Sequence, residues 1–594
     1  MCGICGELRF DGSRPEPQTL VDMVARLERR GPDAEGSYAA GPVALGHRRL
    51  SIIDLSERSG QPMVDTGLGL VLVFNGTIYN YPELIRQLRG RGYRFFSGGD
   101  SEVILKAYAE WGEDCPRHLH GMFAFAVWDL KQQTLFLARD RFGIKPLYYS
   151  VTPHGLRFAS TTQALLAAGD VDTGIDPVAL HHHLTLHAVV PAPRTLLRGL
   201  RKLPPAHSMT AGANGSMQSA RYWRLDTARE MPAYSEWEWI DAVRDALMRA
   251  VKRRRTIADV PVGVLLSGGL DSSLLVALLS EGSGGELFTF SVGFEDELEE
   301  KGQEFEYSDL VAELFATNHQ RFSIPNQEVL ARLPEAVDAM SEPMVGQDAV
   351  AFYLLGERVS QDVKVVQSGQ GADEVFGGYF WYSQMQETSG SEIERFGPLY
   401  FDRSHEELTD TVTTKFYGHD YTTARVRYGL DCTGAAEFVN RVLAYDVTTL
   451  VVDDPVKRVD NMTMAWGLEA RVPFLDHELV ELVSRIPAAI KLKSGGKHLL
   501  KMIARDLLPD IIIDRPKGYF PVPALKFVRG DVLEFMRSVL DSDACRNRGL
   551  FRRNYVEQLL AEPDRHFTPL LGSKLWHLAL LEFWLQRNVD CITL

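Results

Sequence analysis

The chain has 594 residues, 45% of them hydrophobic and 24% charged, which is the balance of a globular protein rather than a fibrous or disordered one. Its 64 Lys and Arg against 79 Asp and Glu leave a net charge of −15, which argues against nucleic acid as main partner. Six scattered cysteines argue against a disulfide framework and for a reducing, cytoplasmic setting, and neither a signal peptide nor an apolar run long enough to span a membrane is visible.

In chain order, Cys2 stands directly after Met1. Removal of the methionine would put a thiol and a free α-amine on one residue, and an amine with a reference pKa near 8 can act as base for its own thiol. A buried strand cysteine and a Cys2-Gly3-Ile4-Cys5 metal or redox pair are the competing readings, although a metal pair needs further ligands nearby. Arg30-Gly31-Pro32-Asp33 reads as a turn, and Leu70 to Phe74 as an apolar strand running into an Asn75-Gly76 turn. Gly98-Gly99-Asp100 is a further glycine turn; Leu119 to Trp128 and Leu135 to Asp140 read as neighbouring strands. Many short strands between glycine turns predict stacked antiparallel sheets.

Nine motifs in order, among them MCGICG, RGPD, HRRLSIIDLS, NGTIYNY, GGDSEVI and LARDRFGIKPLYY, resemble the glutaminase domain of class II glutamine amidotransferases. The resemblance implies an α+β N-terminal nucleophile hydrolase fold, with antiparallel sheets stacked between helices, over residues 1–165. It also implies that Cys2 attacks the glutamine side-chain amide and that Asn75 and Gly76 form the oxyanion hole. Arg49 would take the substrate carboxylate and Asp100 its ammonium, with Leu50, Ser51, Ile52, Ile53 and Thr77 completing the glutamine site. The family usually carries Glu where this chain has Thr77, and FASE where Thr161 follows Ser160.

Residues 166–235 read as a connector broken by Gly and Pro, in which His181-His182-His183 and His187 fit a solvated or packed helix better than a metal site. From 236 to 594 strands alternate with helices, which predicts a doubly wound α/β domain with a helical C-terminal part and ligands at the strand C-terminal ends. Val264-Leu265-Leu266 runs into Ser267-Gly268-Gly269-Leu270-Asp271-Ser272-Ser273, read as strand, tight loop and helix start. Free backbone N–H groups, a helix N-terminus and serine hydroxyls suit the pyrophosphate of a nucleotide. A carboxylate among phosphates points to Mg²⁺, so Asp271 is a candidate ligand, with Asp373 of a second glycine loop, Ser368-Gly369-Gln370-Gly371, sharing the ion. The loop lacks the lysine of a GxxxxGK[ST] motif and instead resembles that of ATP pyrophosphatases.

Taken together, the chain resembles glutamine-hydrolysing asparagine synthetases over nearly its full length. That implies ATP and Mg²⁺ as cofactors, glutamine and a carboxylate acceptor as substrates, and an acyl-AMP captured by ammonia; a homodimer is compatible with it. Leu265, Val292, Ser368 and Gly369 match adenosine-contacting positions, and Lys517 is the candidate for stabilising the leaving pyrophosphate. Gln370 occupies a commonly acidic acyl-transfer position; Ser341-Glu342-Pro343 and Asp460-Asn461 also depart from the usual pattern. These departures weigh against free aspartate, and the combination of Asn75-Gly76-Thr77, Glu304-Phe305-Glu306-Tyr307-Ser308-Asp309 and Ser368-Gly369-Gln370-Gly371 resembles the N-acetylglutaminylglutamine amidotransferase branch, whose product is a compatible solute. Aspartate as acceptor is the alternative, and a silent glutamine and ATP sensor the reading from outside enzymology.

Overall fold

The computed structural model describes residues 2–228, 234–281, 286–296, 302–515, 522, 525 and 528–591. Leu70–Ile78 shows why the N-terminal half takes its shape: Leu70, Leu72 and Phe74 belong to one apolar cluster and Val71 and Val73 to another, so a continuous apolar strand is covered on both faces. Two six-stranded antiparallel sheets stack here. One runs in the order Arg201–Lys202, Tyr148–Thr152, Gly155–Ala159, Gly3–Arg9, Val43–Arg49, Ala34–Ala40. The other runs Met217–Arg221, His207–Gly212, Thr134–Arg139, Gly121–Asp129, Leu70–Ile78, Met63–Asp65. Ile4, Leu45, Val71, Val73, Ala126, Trp128 and Leu156 fill the space between them. Helices Pro17–Ala25 and Thr162–Ala167 cover one outer face, and Tyr81–Gly90 and Asp100–Trp111 the other.

Two local expectations are corrected. Asn75-Gly76 is no turn but lies inside Leu70–Ile78, paired with Ala124 and Phe123. The partner strand Gly121–Asp129, apolar from Met122 to Trp128, holds the pairing across the Asn-Gly step, and a Cβ at Gly76 would lie 2.2 Å from the Met122 carbonyl oxygen, so only glycine fits. The stretch expected to be a connector is not all connector: 201–221 adds strands to both sheets. Its helix Pro177–Thr185 is packed, with His181, His182 and His183 all buried.

The third sheet is parallel throughout, in the order Asn318–Ile324, Phe288–Phe294, Val262–Leu265, Val365–Gln367, Glu469–Arg471. Its first strand in sequence is central, so the chain winds outward one way and then the other. The switch lies between Val262–Leu265 and Val365–Gln367, where both glycine loops leave the sheet, and a doubly wound sheet binds its ligand at that crevice. The described residues beyond Glu469–Arg471 are mostly helical up to Lys574–Asn588, and no described helix is long and apolar enough to cross a membrane.

The halves meet through a buried ionic knot. Asp460 accepts from Arg30 at 3.0 Å and from Lys145 at 3.1 Å, all three groups being nearly inaccessible. Against the burial that would raise it, the two cations hold the Asp460 carboxyl below its ordinary range. Asp460→Ala would strand both cations in the interface, an expected cost of about 3–5 kcal/mol. A thermal midpoint unchanged from the parent chain would refute that weight.

Candidate functional site

A cavity of about 30 Å³ opens beside Cys2, lined by Arg49, Leu50, Ile52, Ile53, Gly76, Thr77 and Asp100 among others. The Cys2 backbone N–H donates to Asn75 Oδ1 at 3.1 Å, which turns the other end of that amide away. Asn75 Nδ2 is buried and has no hydrogen-bond partner among the described residues. An orphaned buried donor is costly in a folded protein unless a ligand completes it, and this one stands one residue from Gly76 beside a thiol. Burial raises the Cys2 pKa, while the Leu50 N–H and the Arg49 guanidinium work against that rise. Arg49 is fixed by the carbonyls of Ser56, at 3.0 Å, and Asp54, at 2.5 Å. Asp100 heads its helix and accepts from the Ile78 N–H at 3.0 Å; burial pushes its carboxyl up to about 6. Two expected residues do not line the cavity: Ser51, whose N–H donates to Asp33 instead, and Asn75, which is fully buried behind the wall that Gly76 forms.

The second cavity, of about 560 Å³, sits at the switch point of the parallel sheet. Leu265, Ser267, Gly269, Asp271, Ser272, Val292, Ser368, Gly369, Gln370 and Asp373, each singled out from sequence, all line it. Gly268 does not face the cavity but forms the turn: its φ is +72°, and a Cβ there would meet Tyr307 Cβ at 2.6 Å. Ser272 Oγ accepts from the Ser267 N–H at 3.2 Å and lies 3.1 Å from Ser267 Oγ, which closes the loop onto the start of helix Leu270–Ser280.

Sequence reasoning missed Lys497. Its Nζ lies 2.5 Å from Asp271 Oδ2 and 2.7 Å from Asp373 Oδ1, at the cavity wall. Burial alone would depress this amine, but the two carboxylates hold it above its ordinary pKa and so charged. The available signal was Gly495-Gly496-Lys497, which puts a cation behind a glycine turn at a helix start. Lys517 lies outside the described residues. Asp271 and Asp373 do converge, and two carboxylate oxygens able to reach one point are the donor chemistry of Mg²⁺.

Of the three departures in the parallel-sheet half, Gln370 alone reaches this cavity. Asn461 Oδ1 accepts from the Ser341 N–H at 2.8 Å in the interior, and Glu342 pairs with Lys202 at 2.9 Å. Ser341 and Asn461 therefore answer each other inside the parallel-sheet half, and neither lines the cavity.

Comparison with known proteins matches residues 1–223 to the glutamine amidotransferase domain and residues 242–586 to asparagine synthase. Glutamine-hydrolysing asparagine synthetase 3 of Bacillus subtilis strain 168 is 31% identical over 99% of this chain and 98% of its own. A putative glutamine-hydrolysing asparagine synthetase of Mycobacterium tuberculosis H37Rv is 32% identical over 98% of each. Among solved structures, glutamine phosphoribosylpyrophosphate amidotransferase from B. subtilis overlaps 62% of this chain and 82% of its own at 14% identity, with a TM-score of 0.29.

Proposed function

The chain belongs to the glutamine-hydrolysing asparagine synthetase family, and we propose that its two cavities divide the reaction, one releasing ammonia and the other making the acyl-adenylate that captures it. It is a carbon–nitrogen ligase that is ATP-dependent and takes its amide nitrogen from glutamine. The orphaned Asn75 Nδ2 beside Cys2 carries the first half of the proposal.

With Met1 removed, the Cys2 thiol passes its proton to its own amine and attacks the glutamine amide carbon. Asn75 Nδ2 and the Gly76 N–H receive the oxyanion. The amine passes that proton to the departing nitrogen, which leaves as ammonia, and water later hydrolyses the thioester to glutamate and the free thiol. In the larger cavity an acceptor carboxylate oxygen attacks the α-phosphorus, pyrophosphate departs toward Lys497, and ammonia then displaces AMP from the acyl carbon. Asp271 and Asp373 would hold Mg²⁺, which supplies neutralising charge for the triphosphate when bound. Joining the sites makes chemical sense, because ammonium formed in bulk water is no nucleophile.

For the acceptor we propose N-acetylglutaminylglutamine, amidated at its C-terminal carboxylate. Its support is Gln370, a neutral amide on the cavity wall able to hydrogen-bond amide groups but not to act as base. Aspartate is the second reading, favoured by the names of the relatives. ATP-dependent pyrophosphate release measured across a panel of carboxylates tests both. The acetylated dipeptide is expected to outpace aspartate by at least about tenfold in kcat/KM. Rapid asparagine formation would overturn the acceptor, and no AMP with any acid would overturn the two-site reading.

A further inference from the structure

The small cavity beside Cys2 borrows a group from the other half of the chain. Thr77 follows Gly76 on Leu70–Ile78 and lines that cavity, yet its hydroxyl donates at 3.3 Å to Glu469 Oε1. Glu469 begins the last strand of the parallel sheet and is fully buried. Its carboxylate accepts from Arg471 Nε at 2.6 Å, and Arg471 is itself pinned by the carbonyls of Arg254, at 2.6 Å, and Ile257, at 2.8 Å. A hydroxyl has one proton and two lone pairs, so with its proton committed to Glu469 the Thr77 oxygen can offer the cavity only acceptor capacity. An acceptor bonded to a buried carboxylate is polarised as well as oriented. Asp100 lines the same cavity, with one carboxylate oxygen taken by the Ile78 N–H. Glu469 also adds to the burial that raises Asp100, an electrostatic sign that the two carboxylates share one neighbourhood.

We infer that Glu469 is a positioning residue of the glutamine pocket, turning the Thr77 hydroxyl so that its lone pairs meet the substrate's α-ammonium alongside Asp100. This rests on the reading of the Cys2 cavity as the glutamine site. The cation-binding end of that site is thus completed only when the parallel-sheet half is docked against it. Nothing need move for this to work, because Arg471 and the sheet fix the carboxylate before substrate arrives.

The test compares hydrolysis of glutamine with that of 4-carbamoylbutanoate, which is glutamine with hydrogen in place of the α-ammonium, on the full chain. Glu469→Gln is expected to lower the ratio of the two kcat/KM values about tenfold, the loss falling on glutamine alone. An unchanged ratio, or an equal fall for both substrates, would overturn the inference. Thr77→Val leaves the Glu469–Arg471 pair intact, so it serves if the first variant fails to fold; it should lower the ratio similarly, and an unchanged ratio again refutes the role. The double variant should lose no more than either single one, since both remove the same oriented oxygen, and additive losses would overturn it. Wild-type chain that hydrolyses neither substrate would instead remove the glutamine-site reading, and this inference with it.

Discussion

Cys2→Ala is expected to cut glutamine-dependent amide formation by about 10⁴-fold or more, while synthesis driven by added ammonium stays within about twofold of the parent. The size follows from what the thiol does: without it no thioester can form, and Asn75 Nδ2 and the Gly76 N–H are left to stabilise an attack by water alone. The selectivity follows from geometry. Cys2 lines the cavity between the strands of the antiparallel sandwich, and none of that cavity's lining residues also lines the one at the switch point of the parallel sheet. One buried link does run from Cys2 toward the interface, where Arg30 Nε donates to the Cys2 carbonyl oxygen at 3.4 Å and Arg30 Nη2 to Asp460. Because that link uses the backbone carbonyl, an alanine side chain preserves it, and the synthetase half should not register the change. Parallel loss of the ammonium-driven reaction would mean that the halves share one catalytic centre.

The parts of this molecule that could be read from the chain are those whose cause is local. Ser267-Gly268-Gly269 and Ser368-Gly369-Gln370 each follow a strand and precede a helix, a local pattern readable from sequence, and Ser267, Gly269, Ser368, Gly369 and Gln370 line one cavity. Asn75-Gly76 misled because its local preference is a turn, whereas the Gly121–Asp129 strand facing it imposes extended pairing. Strands within 201–221 were hidden by the prolines around them, and they form because the edges of two existing sheets offered them partners. Nothing in the sequence tied Glu469 to Thr77. It stands 392 residues from Thr77 in sequence, and only the docking of the two halves brings its carboxylate beneath that hydroxyl. Where Thr77 read as a missing carboxylate, the structure supplies one from the other sheet.

Lys497→Met is expected to lower ATP–pyrophosphate exchange by about 10²–10³-fold, the range for losing one preorganised group aimed at developing charge. Glutamine hydrolysis should be unaffected, since Lys497 lies at the other cavity. The ammonium sits between Asp271 and Asp373 and is held charged by both, so removing it leaves two carboxylates facing each other across a partly dry wall. That arrangement gives a second readout independent of turnover. If the two carboxylates are where a divalent cation binds, Mg²⁺ should raise the thermal midpoint of Lys497→Met by more than it raises that of the parent, because the ion then relieves a repulsion the lysine used to cancel. Asp271→Asn in the same background should abolish that extra stabilisation by halving the acidic pair. A midpoint that ignores Mg²⁺ in Lys497→Met would place the ion elsewhere, and undiminished exchange in that variant would show that the departing pyrophosphate is met by another cation.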